Sequence, residues 1–200
     1  HEITGGADPI FTYGISGNRV CHTLIVAPPR CGKTTLLRDM IRQISDGNRW
    51  LDGMAVGVVD ERSEIGGCYM GIAQNELGAR TDILDCCPKA EGMMMLIRSM
   101  GPQVIAVDEI GTAEDIHAVE YAMHCGCRMI ATVHADSMEE LRKRPLFDQM
   151  ILYSIPPVIL PFPLHYRAGF RGCQKSPPPV PHVSDYPAEY IARIVSALSS

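Results

Sequence analysis

The 200-residue chain lacks an excess of positive charge: 18 Lys and Arg stand against 23 Asp and Glu, a formal net charge of −5. General nucleic-acid binders draw their affinity from Lys and Arg on phosphates, so this balance argues against one and for no nucleic-acid partner. It still allows a small basic pocket for a phosphorylated ligand. Long hydrophobic runs are missing too. The most apolar stretch, Met150 to Leu164, is broken by Pro156, Pro157, Pro161 and Pro163, whereas a spanning helix needs about 20 uninterrupted residues. The chain starts at His1 without the basic, apolar and small-residue sequence of a secretory signal, and is expected to be a fragment of a cytosolic protein. Internal repeats are absent, and so is the N-K-x-D element that reads guanine.

Eight cysteines are present, at 21, 31, 68, 86, 87, 125, 127 and 173. Disulfide frameworks belong to small secreted domains that cannot build a core, and this chain is rich in Val, Ile, Leu and Met. Zinc would have to use Cys86-Cys87 and Cys125-x-Cys127, and neither pair has finger or ribbon spacing. The thiols are therefore expected to act as small apolar residues in a reducing compartment.

Between His22 and about Pro145, short apolar runs alternate with amphipathic segments, the pattern of strands and crossover helices in a parallel sheet. Strands are expected at 23–27, 55–59, 82–84, 104–107 and 128–133. Helices are expected at 33–45, 91–100, 112–123 with Thr112 as N-cap, and 137–144. After Pro145 the pattern dissolves: nine of the fifteen prolines fall in residues 151–200. The expected organisation is an α/β domain over residues 1–147 and a proline-rich irregular tail over 148–200. A continuation of the sheet is not expected in that tail, and only a short helix near 188–198 is.

The strongest motif is Pro28-Pro29-Arg30-Cys31-Gly32-Lys33-Thr34-Thr35, between a predicted strand and a predicted helix. Such a loop turns backbone N–H groups and the positive helix end toward a polyphosphate. Lys33 would reach the β and γ phosphates, and Thr34 would hold Mg2+. The general pattern has Gly where Ala27 stands. About 70 residues on, Val104 to Val107 carry Asp108-Glu109 to a strand end, where parallel sheets bind ligands. There Asp108 can hold Mg2+, and Glu109 can polarise a water. His134 closes the next strand and could sense phosphate or orient water. Arg62, Arg80 and Arg98 lie near predicted element ends, where they could meet a γ-phosphate.

With Gly32 to Asp39, Val58 to Ile65, Gly78 to Asp85, Pro88 to Met93 and Arg98 to Ile105 in this order, the chain resembles the stage III sporulation protein AA family over about Ala7 to Leu146. Those are AAA-type ATPases of endospore-forming bacteria, similar more distantly to the hexameric ATPases of type II and type IV secretion. The Pro-Pro-x-Cys spelling of the phosphate loop is that family's. The resemblance implies a RecA-like P-loop NTPase core, ATP and Mg2+ as cofactors, and self-association as a homohexamer in the full-length protein.

It also places Asp60-Glu61-Arg62 on an acidic box that positions Mg2+ and water, which leaves Glu61 as an alternative base to Glu109 and Asp60 as a further metal ligand. His134 falls on a histidine box, and Arg98 on an arginine that precedes the acidic strand. Arg62 and Arg80 become candidates for reaching a neighbouring subunit's nucleotide. By the same resemblance, the role is to energise or assemble the mother cell to forespore channel. The protein would sit peripherally on the mother-cell cytoplasmic side, bound to membrane proteins of that complex. An ATP-binding assembly module with little turnover is the alternative. By the resemblance, the family's amino-terminal domain is expected to lie outside these 200 residues, and the sequence is expected to depart from the family from about Asp148.

Overall fold

The computed structural model describes residues 20–48, 51–135, 140, 141, 143 and 144, and the backbone of 158–161. Six strands form one sheet: β1 (Thr23–Ala27), β4 (Val56–Asp60), β5 (Thr81–Asp85), β6 (Val104–Val107), β7 (Arg128–His134) and β8 (Val158–Pro161). Their order is β5-β4-β6-β7-β1-β8, and every pairing is parallel. Two residues each of β2 (Gly47–Asn48) and β3 (Leu51–Asp52) make a separate small antiparallel pair that the sequence pattern did not foretell.

Strands β1, β4 and β6 read as unbroken apolar runs because both faces of the sheet are covered, and all their residues are buried. Alternation then decides which layer each side chain enters. Val104 and Ala106 pack with Ile25, Val58 and Ile130 against Leu37, Met40, Ile41 and Ile44 of helix α1 (Lys33–Asp46). Ile105 and Val107 pack with Leu24, Val59 and Met129 on the other face. There they meet Met93 and Leu96 of α2 (Lys89–Ser99) and Ile116, Val119 and Ala122 of α3 (Ala113–His124).

Helix α3 begins as expected. The Thr112 hydroxyl accepts from the Asp115 amide, and the Asp115 carboxylate accepts from the Thr112 amide.

The expectation that no sheet strand lies beyond residue 147 is corrected. Val158 to Pro161 pairs with Thr23 to Val26 and extends the sheet past β1. An edge strand tolerates proline because its outward side needs no donor. The division at 147 therefore does not mark the end of the sheet. Of the helix expected at 137–144, Glu140 and Leu141 are helical and the rest is largely outside the described residues, as is the expected 188–198 helix. Among the described residues, no helix is long and apolar enough to cross a membrane.

Candidate functional site

Parallel pairing brings the C-terminal ends of β1, β4, β6 and β7 to one edge of the sheet. Strand β7 lies between the strand that enters the phosphate loop and the strand that ends in Asp108-Glu109. Ala27 is in register with His134, and Val107 with Ala131, so His134 stands between the two motifs.

In the phosphate loop, Gly32 occupies the α1 N-cap at φ 87, a left-handed conformation that glycine adopts without strain. No side chain caps α1, so the amides and the positive end of the helix face outward, ready for an anion. Lys33 is 4% exposed. Its ammonium donates to the Ala27 carbonyl at 3.0 Å, to the Pro28 carbonyl at 2.8 Å and to His134 Nδ1 at 2.8 Å. Burial holds its pKa below the ordinary lysine value, against the opposing pull of Asp108, Cys31 and Glu109.

The Thr34 hydroxyl donates to Asp108 Oδ2 at 2.7 Å. The other Asp108 oxygen accepts from the hydroxyl of Thr132, which in turn accepts from the Glu109 amide at 2.9 Å. Glu109 has a left-handed backbone, φ 53. That conformation is sparsely populated outside glycine and concentrates at functional sites. The carboxylate of Glu109 is held at both oxygens, by His134 Nε2 on Oε1 and by Arg62 on Oε2 at 2.8 Å. An ammonium can only donate, so His134 Nδ1 is the acceptor for Lys33 and Nε2 carries the hydrogen given to Glu109. Burial pushes the Glu109 carboxyl upward. The hydrogen bond from His134, with the charges of Arg62 and Lys33, outweighs this and leaves it below the usual range.

Beside Asp108 and Glu109 opens a cleft, lined also by Asp60, Glu61, Arg62, Glu64 and Lys89. Glu61 pairs there with Lys89. Asp60 is 2% exposed and already accepts the Glu64 amide at Oδ1 (2.8 Å) and the Gly66 amide at Oδ2 (2.7 Å). The structure thus makes Asp60 the organiser of the loop that carries Glu61 and Arg62.

Arg98 is not among the residues brought together. It lies exposed in the last turn of α2, just before β6 begins, while Asp108 follows the end of β6. The two are at opposite edges of the sheet. Arg80 precedes β5 and donates to the Ser45 carbonyl at the end of α1, 3.0 Å away. Two residues that sequence reasoning missed belong to the site. Lys89 holds Glu61, and Thr132 joins Asp108 to Glu109. Thr132 had a legible signal, being two residues before His134 on a strand and so on the same face.

The donor set suits a magnesium nucleotide. The Thr34 hydroxyl and Asp108 carboxylate are hard oxygen ligands already side by side, and Mg2+ is usually bound by one or two carboxylates plus substrate phosphates. The uncapped amides and Lys33 suit the phosphates themselves.

The sequence profile of the family described as Sporulation stage III, protein AA, matches residues 1–157. The chain belongs to that family. It is 50% identical over 146 residues to the Stage III sporulation protein AA of Bacillus subtilis (strain 168), a match covering 73% of this chain and 47% of that protein. It is 28% identical over 132 residues to the Protein SEEDLING PLASTID DEVELOPMENT 1 of Arabidopsis thaliana, covering 64% of this chain and 18% of that one. The chain thus spans about half or less of the length of these relatives.

Among solved structures it resembles the ATPase DotB of Legionella pneumophila, with a TM-score of 0.53 and 21% identity over 68% of this chain and 36% of that one. The DotB ATPase of Yersinia pseudotuberculosis gives 0.52 and 16%, over 75% and 39%. The fold is the RecA-like core of these secretion ATPases, as the resemblance implied.

Proposed function

We propose that this chain is an Mg2+-dependent ATPase. The observation that carries the reading is the 2.7 Å bond from Thr34 to Asp108, which joins the phosphate loop to the acidic strand end across 74 residues of sequence. In this reading Lys33 and the loop amides bind the phosphates and orient the terminal one. Thr34 and Asp108 hold the metal, which when bound neutralises charge on the phosphate oxygens. Glu109 accepts a proton from the attacking water. Glu61 is the weaker candidate for that role, since its carboxylate is committed to Lys89.

Membership in a sporulation family supports a role in energising or assembling the channel between mother cell and forespore. The protein would act there as a ring, peripheral on the mother-cell cytoplasmic side and bound to membrane partners. An ATP-binding module without turnover is the second reading. It draws on the capture of both Glu109 oxygens by His134 and Arg62.

Steady-state ATP hydrolysis across a protein concentration series separates the two. The expected result is turnover that rises more than linearly with concentration, is lost with nucleotide binding in Lys33→Ala, and is lost without it in Glu109→Gln. Tight ATP binding with no turnover at any concentration would establish the module. Undiminished hydrolysis by Glu109→Gln would move the base to Glu61.

A further inference from the structure

We propose that His134 is a relay that keeps Glu109 latched until a phosphate takes Lys33. The inference rests on the nucleotide reading above and concerns how the same site is regulated. An ammonium has three N–H donors, and those of Lys33 are all in use, on the Ala27 carbonyl, the Pro28 carbonyl and His134 Nδ1. A phosphate group gains a hydrogen bond from Lys33 only by displacing one of them. Two are backbone atoms of the loop, whose loss stays local. The third is the side chain that also holds the base.

The consequence follows from ring chemistry. While Lys33 donates to Nδ1, the neutral ring must carry its hydrogen on Nε2, and Nε2 is the atom facing Glu109 Oε1. Once Lys33 turns to a phosphate, Nδ1 loses its charged donor, so the ring keeps one anchor in place of two and its Nε2–H becomes a weaker donor to Glu109. Glu109 is then held by this weakened bond and by Arg62, whose own side chain is 64% exposed. The backbone of Glu109 stays put, because its amide is bonded to Thr132 and the next amide, of Ile110, to the Thr132 carbonyl. The carboxylate alone is loosened. A base needs a free lone pair, so the latch ties activation of water to occupation of the loop. His134 is on this account a positioning residue that acts through Glu109.

The test uses the 200-residue chain with 15N-labelled histidine. Long-range nitrogen–proton correlation spectra report the tautomer of each ring, and the His134 signal is identified by its loss in His134→Gln. In the nucleotide-free protein the ring is expected as the Nε2–H tautomer, with an Nδ1 resonance that moves in Lys33→Ala and on addition of Mg-ADP to the unaltered chain. An Nδ1–H ring in the free protein, or a resonance indifferent to Lys33→Ala, overturns the relay whether or not nucleotide binds.

Affinity supplies the second arm. Because His134 competes with phosphate for Lys33 through a hydrogen bond to a charged group, His134→Ala is expected to bind Mg-ADP at least about ten-fold tighter. Unchanged or weaker binding also overturns the proposal, and weaker binding makes His134 a direct phosphate contact. Absence of any ADP or ATP binding by the unaltered chain is instead the failure of the nucleotide reading, and the resonance in Lys33→Ala still decides the latch.

Discussion

Thr132 has no exposed surface, and its single hydroxyl serves two neighbours, donating to Asp108 and accepting from the Glu109 amide. Replacement by valine keeps the shape and the strand preference but leaves a carboxylate oxygen and a buried amide without their partner. Thr132→Val is therefore expected to lose about 1–3 kcal/mol of stability in thermal denaturation. It is also expected to lower ATP turnover on the order of 100-fold, because the acid pair is displaced relative to the loop. Thr132→Ser restores both, and a Thr132→Val protein with full turnover would remove the residue from the site. The acids and the lysine were legible in the sequence because their motifs carry unusual residues at fixed spacing. Thr132 was overlooked, because a threonine inside a strand needs no explanation beyond its fit to a pleated surface, and only its place two residues before His134 pointed to the site.

Helix α2 is held on the sheet by an absence. A Cβ on Gly92 would stand 2.5 Å from Val59 Cγ1 and 3.1 Å from Cγ2. Val59 is a stiff, β-branched residue in a fully buried strand, so the helix would have to move away. In an exposed helix, alanine would gain up to about 1 kcal/mol over glycine. Here Gly92→Ala is expected to cost about 1–3 kcal/mol by overpacking, seen as a lowered Tm. A raised Tm would show that α2 is free to slide. Among the elements, β1, α1, β6 and α3 were legible because burial on two faces, a 3–4 apolar repeat and a capping box are local signals. Strand β8 was hidden by the prolines around it, since its place depends on the open edge of β1 more than on its own composition.

At the scale of the whole molecule, His22 links folding to pH. Its ring is 9% exposed, and burial, with the charge of Arg128 beside it, lowers its pKa to about 4. The unfolded chain takes up a proton near pH 6.5 that the folded chain refuses until about pH 4. Stability from this group is therefore complete above pH 6.5 and falls as the pH drops toward 4, by at most about 3 kcal/mol. Denaturant unfolding of His22→Gln is expected to show a flatter stability profile between those limits, and an unchanged slope would assign the acid sensitivity to other groups.

The sequence by itself determined the parallel α/β class, the phosphate loop, the acidic strand end and most element boundaries. Each of these is set by interactions within a few residues, where spacing and side-chain type suffice. Only the tertiary structure decided that β7 lies between β1 and β6, that Lys33 meets His134 across 101 residues of chain, and that Asp60 braces its own loop while Arg98 lies on the far edge. Strand order and side-chain pairing over such distances are chosen by how both faces of the sheet can be buried together, a property of the assembled layers that no local pattern encodes.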